Sequence, residues 1–444
     1  MSRLTAEEIH GDVLSLFSPA HLPNAPGAVG VEIELLPVAW PDGQNRPEPL
    51  PLQPVAGGHG SLLEFLHAYG ESTERLAADW DDYGSPRFRT ERDGLLVFEP
   101  GGQLEYSTEP RPTAAAAHDD ARAVLMPLRE AAAAGGIRFL DLGMNPFHTA
   151  EDVGLHLQSG RYRAMDSYFA GLGPFGQQMM RLTASLQVNL DFGDPERAGL
   201  RWRAANLMSP VLTAAFANSP VRFPDGTRAL SGRALVWQGT DPSRTGLVMA
   251  GGDVGRADPW RAYAVFALTA RVMMRFGEDG ALHAVADALR FNEWWAGTAG
   301  APPSAEDWRV HLTTLFPEIR PRGWLEIRSI DAPGPEWWGV PITLLPAILY
   351  DDRALQATLD LLEPHAGSLE DLARRSALDA LGDPELGRLS EALFRHGLDA
   401  TTRFPEGYFD ADMVGATGAF RERYVARRRT QADERLPEDG PALP

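Results

Sequence analysis

The stretch LLVFEPGGQLEYST, residues 95–108, interrupts a strand-like pattern with Pro100, Gly101 and Gly102 and sets one carboxylate on each side of the break, Glu99 and Glu105. Other acids sit on strand-like segments too. A strand alternates its faces with a period of two residues. In GVEIELL, Glu32 and Glu34 therefore share a face, opposite Val31, Ile33 and Leu35. In TASLQVNLDF, Thr183, Ser185, Gln187, Asn189 and Asp191 form a polar face opposite Leu186, Val188 and Leu190. Glu326 and Arg328 share a face of WLEIRSID, and Gln103 joins Glu105. One such face alone describes an ordinary half-wetted antiparallel strand. Four together are harder to explain, because acids are depleted in strands and like charges on one face repel. Divalent cations would stabilise such a face. Oxygen-only ligands suit Mg²⁺, which commonly takes nucleotide phosphates as further ligands. On this reading Glu99 and Glu105 both reach metal, and the Pro-Gly-Gly break sets their spacing.

Absences narrow the chemistry. The 444 residues contain no cysteine and no lysine, so all 41 basic side chains are arginine. Thiolate catalysis, Cys-ligated zinc, a Walker-A lysine and a pyridoxal Schiff base are excluded. Anionic substrates must be held by arginine, backbone amides and metal. No H-E-x-x-H pair or G-x-S-x-G elbow occurs, GGDVG (251–255) has no G-x-G-x-x-G pattern after a strand, and His148 and His156 match no ligand spacing. Glycoside hydrolysis by two carboxylates stays open, but leaves the many acids and Arg328 unexplained. A formal net charge of −20 argues against nucleic acid and anionic membranes as partners. The N-terminal residues lack a signal peptide's apolar run, which makes the cytoplasm the expected compartment.

These residues need a sheet to hold them. Strands are expected at 27–38, on both sides of the break in 95–108, from Ile137, across 179–193 and at 323–330. Helices are expected at 5–17, from Ser61, at 113–134 and 195–217, then at 258–276, 304–316, 341–362, 367–378 and 384–397. Strands dominate the first half and helices the second, which predicts an α+β fold with a mostly antiparallel sheet. A single catalytic domain over 1–420 and a charged, Pro-rich, partly disordered tail over 421–444 are expected. Residues 40–60 and 247–257 are Gly/Pro-rich loop candidates for a lid.

At these residues the chain resembles the plant and bacterial glutamate–cysteine ligases. The resemblance is carried, in order, by EPGGQLE, GRYRAMDSYF, MMRLTASLQVNLDF, AAFANSP, DPSRTG and HLTTLFPEIRPRGWLEIRSIDA. The wording of TASLQV, DPSRTG and RPRGWLEIR is most similar to the branch that serves ergothioneine synthesis. The resemblance implies a glutamine-synthetase-like fold, with an antiparallel sheet cupped around the active site and helices around it. It implies that ATP phosphorylates the γ-carboxylate of L-glutamate and that the amine of L-cysteine displaces the phosphate. It implies two or more Mg²⁺ ions held by Glu32, Glu34, Glu99, Glu105, Gln187 and Glu326, with Glu326 and Arg328 catalytic and Arg328 on the transferred phosphoryl group. Arg244 is implied as the clamp for the glutamate α-carboxylate, with Trp237, Tyr162 and Arg181 beside the substrate and Thr183 and Asn189 beside ATP. Plant-type members often carry Arg where this chain has Leu182. Here Arg181 sits one residue earlier, and a one-residue offset in a strand turns a side chain over. The expected partners are small molecules only, with the protein a monomer or homodimer. A different amine acceptor, or a non-catalytic ATP- or amino-acid-binding protein on this fold, stays open.

Overall fold

The apolar faces of the strands decide the layering. The computed structural model describes residues 3–18, 27–41, 43–55, 60–81, 84–223, 225–248 and 258–435. Ten strands form one sheet: β1 (Val29–Ala39), β2 (Glu48–Pro49), β3 (Leu76–Trp80), β4 (Pro86–Thr90), β5 (Leu95–Phe98), β6 (Leu104–Ser107), β7 (Ile137–Leu140), β8 (Ser185–Leu190), β9 (Ile319–Pro321) and β10 (Leu325–Asp331). The order is β9-β10-β8-β1-β6-β5-β4-β3, with β2 and β7 added to β1. All of these pairs are antiparallel. The expected α+β class with an antiparallel sheet is what the chain adopts.

Val31, Ile33, Leu104, Tyr106, Leu186, Val188, Leu325 and Ile327 are all buried on one sheet face. Helices Ala114–Ala134, Pro195–Ala215 and Gly339–Tyr350 pack against the sheet, and Asp352–Leu362, Pro384–Thr401 and Ala411–Arg423 pack behind them. Every residue of Gly339–Tyr350 except the last is buried, as expected of a helix apolar all round.

The structure corrects three expectations about elements. Residues 179–182 are not strand but the end of a helix, Pro174–Leu182, begun by proline at its first turn; β8 starts only at Ser185. The helix expected over 258–276 stops at Thr269 and gives way to a short strand, Met274–Phe276. The one expected over 341–362 is two helices, because Asp351 leaves helical geometry and its side chain caps the second by accepting from the Ala354 N–H. Residues 421–435, expected in a frayed tail, pack with Tyr424, Val425 and Ala432 buried, since they carry apolar side chains into the helical layer; 436–444 lie outside the described residues. Among the described residues, no helix is long and apolar enough to cross a membrane.

Candidate active site

The polar face of the sheet lines a cavity of about 410 Å³. Register brings the acids together. Glu34 of β1 stands directly opposite Glu105 of β6, and Glu32 opposite Gln187 of β8. A cross-strand pair of like charges destabilises a sheet, so this pairing has a cost that something else must offset. Glu34 is held by the Ser185 N–H at 2.7 Å and by Gln187 Nε2 at 2.9 Å. Asn189 Nδ2 donates to Glu32 at 2.9 Å.

Glu99 arrives from the β5–β6 turn. Pro100 occupies the second position of that turn, the Gly102 N–H donates back to the Glu99 carbonyl at 2.8 Å, and Gly102 has φ +80°. A β-carbon on Gly101 would lie 2.5 Å from the Arg181 Cα, so this turn is pressed against the end of the Pro174–Leu182 helix. Gln103 fastens the two: its Nε2 donates to the carbonyls of Met180 and Thr183 at 3.3 and 3.0 Å, which satisfies acceptors left over at the helix end.

One carboxylate oxygen from each of Glu34, Glu99 and Glu105 lies within 4.8 Å of the others. Burial, then Glu34, pushes the Glu99 carboxyl up to about 7. Burial, then Glu32, Glu99 and Glu34, pushes Glu105 well above the usual carboxylate range. Burial and Glu326 raise Glu32. The Gln103 Oε1 atom, also at the cavity, is buried without a hydrogen-bond partner. Three converging carboxylates fit a divalent cation, which would supply the charge these groups lack.

Arginines line the same cavity: Arg161, Arg233, Arg320, Arg322 and Arg328. Arg328 Nη1 donates to Gln187 Oε1 at 2.9 Å, and its guanidinium stands 5.4 Å over the Trp237 ring. Trp237, Tyr162 and Thr183 line the cavity as expected, with Glu32, Glu34, Glu99, Glu105, Gln187 and Arg328.

Four expected residues lie elsewhere. Glu326 is fully buried and clasped by both Nε and Nη2 of Arg320, its register partner on β9. Arg328 is 3.4 Å and Arg322 3.7 Å away. Burial alone would raise its pKa, but the three arginines outweigh it and hold it at about 2. The carboxylate here is a counter-charge to arginine and not part of the acidic cluster. Asn189 acts through Glu32 and does not line the cavity. Arg181 was expected on the Thr183–Gln187 strand face; because 181 is helical, it turns away, bonds to the Ala150 carbonyl and pairs with Asp166. Arg244 is fully buried off the cavity. Its Nε donates to Asp241 at 2.9 Å, its Nη1 to the Thr314 carbonyl at 2.7 Å and its Nη2 to the Arg271 carbonyl. Those donors are spent within the protein, so Arg244 is no carboxylate clamp in this arrangement.

Sequence reasoning missed Arg161, Arg233, Arg320 and Arg322 at the cavity. The alternation in IRPRGW could have flagged Arg320 as facing Glu326. Nothing local marks Arg233, which sits on the Gly232–Thr240 helix.

The family profile described as glutamate-cysteine ligase family 2 (GCS2) matches residues 28–386. The chloroplastic glutamate–cysteine ligase of Arabidopsis thaliana is 35% identical over 274 residues, 60% of this chain and 51% of that protein. Glutamate–cysteine ligase EgtA of Mycobacterium tuberculosis is 36% identical over 292 residues, 64% of this chain and 66% of that protein. EgtA of Mycolicibacterium smegmatis is 34% identical over 289 residues, with the same two shares, 64% and 66%. The chain thus spans about half the length of the plant relative and somewhat under two thirds of the mycobacterial ones. The antiparallel sheet with its helical layer is consistent with the glutamine-synthetase-like fold expected from the sequence. The match over most of the chain establishes that it belongs to glutamate–cysteine ligase family 2.

Proposed function

We propose that this chain joins the γ-carboxylate of L-glutamate to the amine of L-cysteine at the expense of ATP, giving γ-glutamylcysteine, ADP and phosphate. The observation that supports this is the meeting of two charge groups in one cavity: Glu34, Glu99 and Glu105 converge there, and Arg320, Arg322 and Arg328 line the same space. Phosphoryl transfer asks for such positioning and charge neutralisation more than for covalent help from the protein. Glu34, Glu99 and Glu105 would hold Mg²⁺, with Glu32 and Gln187 close by; the bound ion would neutralise and orient the nucleotide phosphates. Arg328, fixed by Gln187 and stacked on Trp237, directs its fork at the transferred phosphoryl group. A γ-carboxylate oxygen of glutamate attacks the terminal phosphorus and ADP leaves. The cysteine amine then attacks the acyl carbon, phosphate leaves, and the amine gives up a proton. Glu326 acts in this reading by fixing Arg320 and Arg328. The likeness to the ergothioneine branch supports a role for the product in that pathway, in the cytoplasm.

ADP release with Mg²⁺-ATP, omitting one amino acid at a time, tests the reading. ADP formation that requires both amino acids, with γ-glutamylcysteine detected by mass, is the expected result. ADP formed with glutamate alone and unaffected by cysteine would reassign the acceptor amine. ATP binding without turnover would make the chain a binding protein.

A further inference from the structure

Glu99 is the one member of the acidic trio with no strand beneath it. Glu34 and Glu105 are register partners within the sheet, whereas Glu99 stands in the turn between β5 and β6. The turn's own bonds give it a shape: the Glu99 N–H donates to the Gln103 carbonyl at 2.9 Å, and the Gly102 N–H donates back. They do not fix where that shape sits over the cavity. Contacts from outside the sheet do. A β-carbon on Gly101 would stand 2.6 Å from the Arg181 carbonyl oxygen, as close as it stands to the Arg181 Cα. The His156 N–H donates to the Pro100 carbonyl at 2.8 Å, and a β-carbon on Gly102 would lie 3.0 Å from the His156 ring. With Gln103 bonded to the Met180 and Thr183 carbonyls, the turn is seated on the end of the Pro174–Leu182 helix.

That helix end is itself tied down, by the side chain of Arg181. Its Nη1 donates to the Ala150 carbonyl at 2.9 Å, and its Nη2 pairs with Asp166 on the Gly160–Ala170 helix. Asp166 also accepts from Gln177 Nε2 at 3.2 Å, one turn before Arg181, so a single carboxylate grips two successive turns. Ala150 opens the short helix Ala150–Val153, which leads into the His156 segment. One planar guanidinium thus joins the helix under the turn to the two segments beside it. Neither Arg181 nor Asp166 lines the cavity. Groups that fix a metal ligand from behind commonly govern affinity about as strongly as the ligand's own surroundings do.

We propose that the Arg181–Asp166 ion pair positions Glu99 against Glu34 and Glu105, and thereby sets the affinity of the trio for a divalent cation. This rests on the ligase reading above, and it gives Arg181 a role at a distance from the substrate.

The test uses the full chain with Asp166→Asn and Arg181→Gln. Mn²⁺ is the probe, titrated by electron spin resonance without nucleotide, and amide exchange is followed across residues 99–103. Arg203→Gln is the control. It breaks a pair with Glu363 away from the cavity, and the exposures match: 7% and 23% there, 8% and 24% for Arg181 and Asp166. Asp166→Asn should weaken Mn²⁺ about tenfold and Arg181→Gln at least as much, with faster exchange across 99–103 in both. Arg203→Gln should stay within twofold of wild type on both measures. In turnover, the Mg²⁺ needed for half-maximal rate should rise in parallel, with the glutamate KM within twofold. Mn²⁺ affinity within twofold of wild type in Asp166→Asn, or an equal loss in Arg203→Gln, overturns the proposal. Should Arg181→Gln not fold, Asp166→Asn decides by itself. Wild type that binds Mn²⁺ but turns nothing over counts against the ligase reading, and the Mn²⁺ affinities still judge the pair. Wild type that binds no Mn²⁺ removes the metal from that reading and overturns this proposal with it.

Discussion

Two groups of glutamate on the polar side of the sheet behave in opposite ways. Around the β5–β6 turn, Glu99 is pushed up to about 7 and Glu105 higher still. On β10, Glu326 is buried more deeply still, yet is held at about 2. Residue type is shared, and Glu326, the more deeply buried, is the one held low. What differs is the neighbour across the strand: Glu105 faces Glu34, whereas Glu326 faces Arg320. Burial raises a carboxyl until opposite charge outweighs it, and register decides which charge is near. One end of the site is charge-compensated within the protein, and the other is where the proposed cation would sit.

The largest test of that contrast is Glu105→Gln. Turnover should fall by about four orders of magnitude, near 5.5 kcal/mol in the barrier. The same change removes a buried like charge, so thermal melting without metal should be unchanged or higher. Near-wild-type turnover would remove Glu105 from the metal shell.

Arg320→Met attacks the completed end. It leaves Glu326 buried beside fewer cations and should cost about 4 kcal/mol in urea unfolding, most of it regained by adding Glu326→Gln. A double variant no more stable than the single one would mean that the pair is not what holds β9 to β10.

The two ends should also titrate oppositely. Glu99 binds its proton more tightly folded than unfolded. Its stabilisation is present below the ordinary carboxyl range and is lost as pH rises through about 7. That loss is on the order of 3 kcal/mol without metal, and Mg²⁺ should reverse it. Glu326 has a depressed folded pKa, so its stabilisation is present at neutral pH and is lost as pH falls towards about 2. Melting temperature against pH in chelator should therefore fall on both sides. Glu99→Gln should flatten only the neutral limb, and a profile overlaying wild type would contradict the assignment.

The smallest effect concerns arginines. Arg244→Gln should cost about 2 kcal/mol of stability by uncovering Asp241, with the glutamate KM within threefold of wild type. A tenfold rise in that KM would return Arg244 to the substrate.

What could be read in the sequence follows from period. Alternation placed Glu32 with Glu34, and Gln187 with Asn189, on the cavity side, and Pro100-Gly101-Gly102 marked a turn that points Glu99 inward. Period two carries no information once the chain is helical, which is why Arg181 was misplaced at the end of Pro174–Leu182. Nor does it say who stands across the sheet. Glu326 reads like Glu105 in isolation, and only the pairing of β9 with β10 separates them. That Arg233 lines the cavity and Arg244 does not is set by long-range packing, so it was not legible. The outer hairpin β3–β4, where LAADW and PRFRT offer little apolar alternation, was missed for the same reason.

The wall of arginines has a practical side. A guanidinium keeps its charge far above neutral pH, so alkaline titration leaves that wall unaltered. Amine-directed acylating reagents find no lysine side chain anywhere in this sequence. Dicarbonyl reagents specific for guanidinium groups become the natural footprinting probe, and nucleotide protection of Arg322, half-exposed at the cavity mouth, would be read against a background free of lysine chemistry.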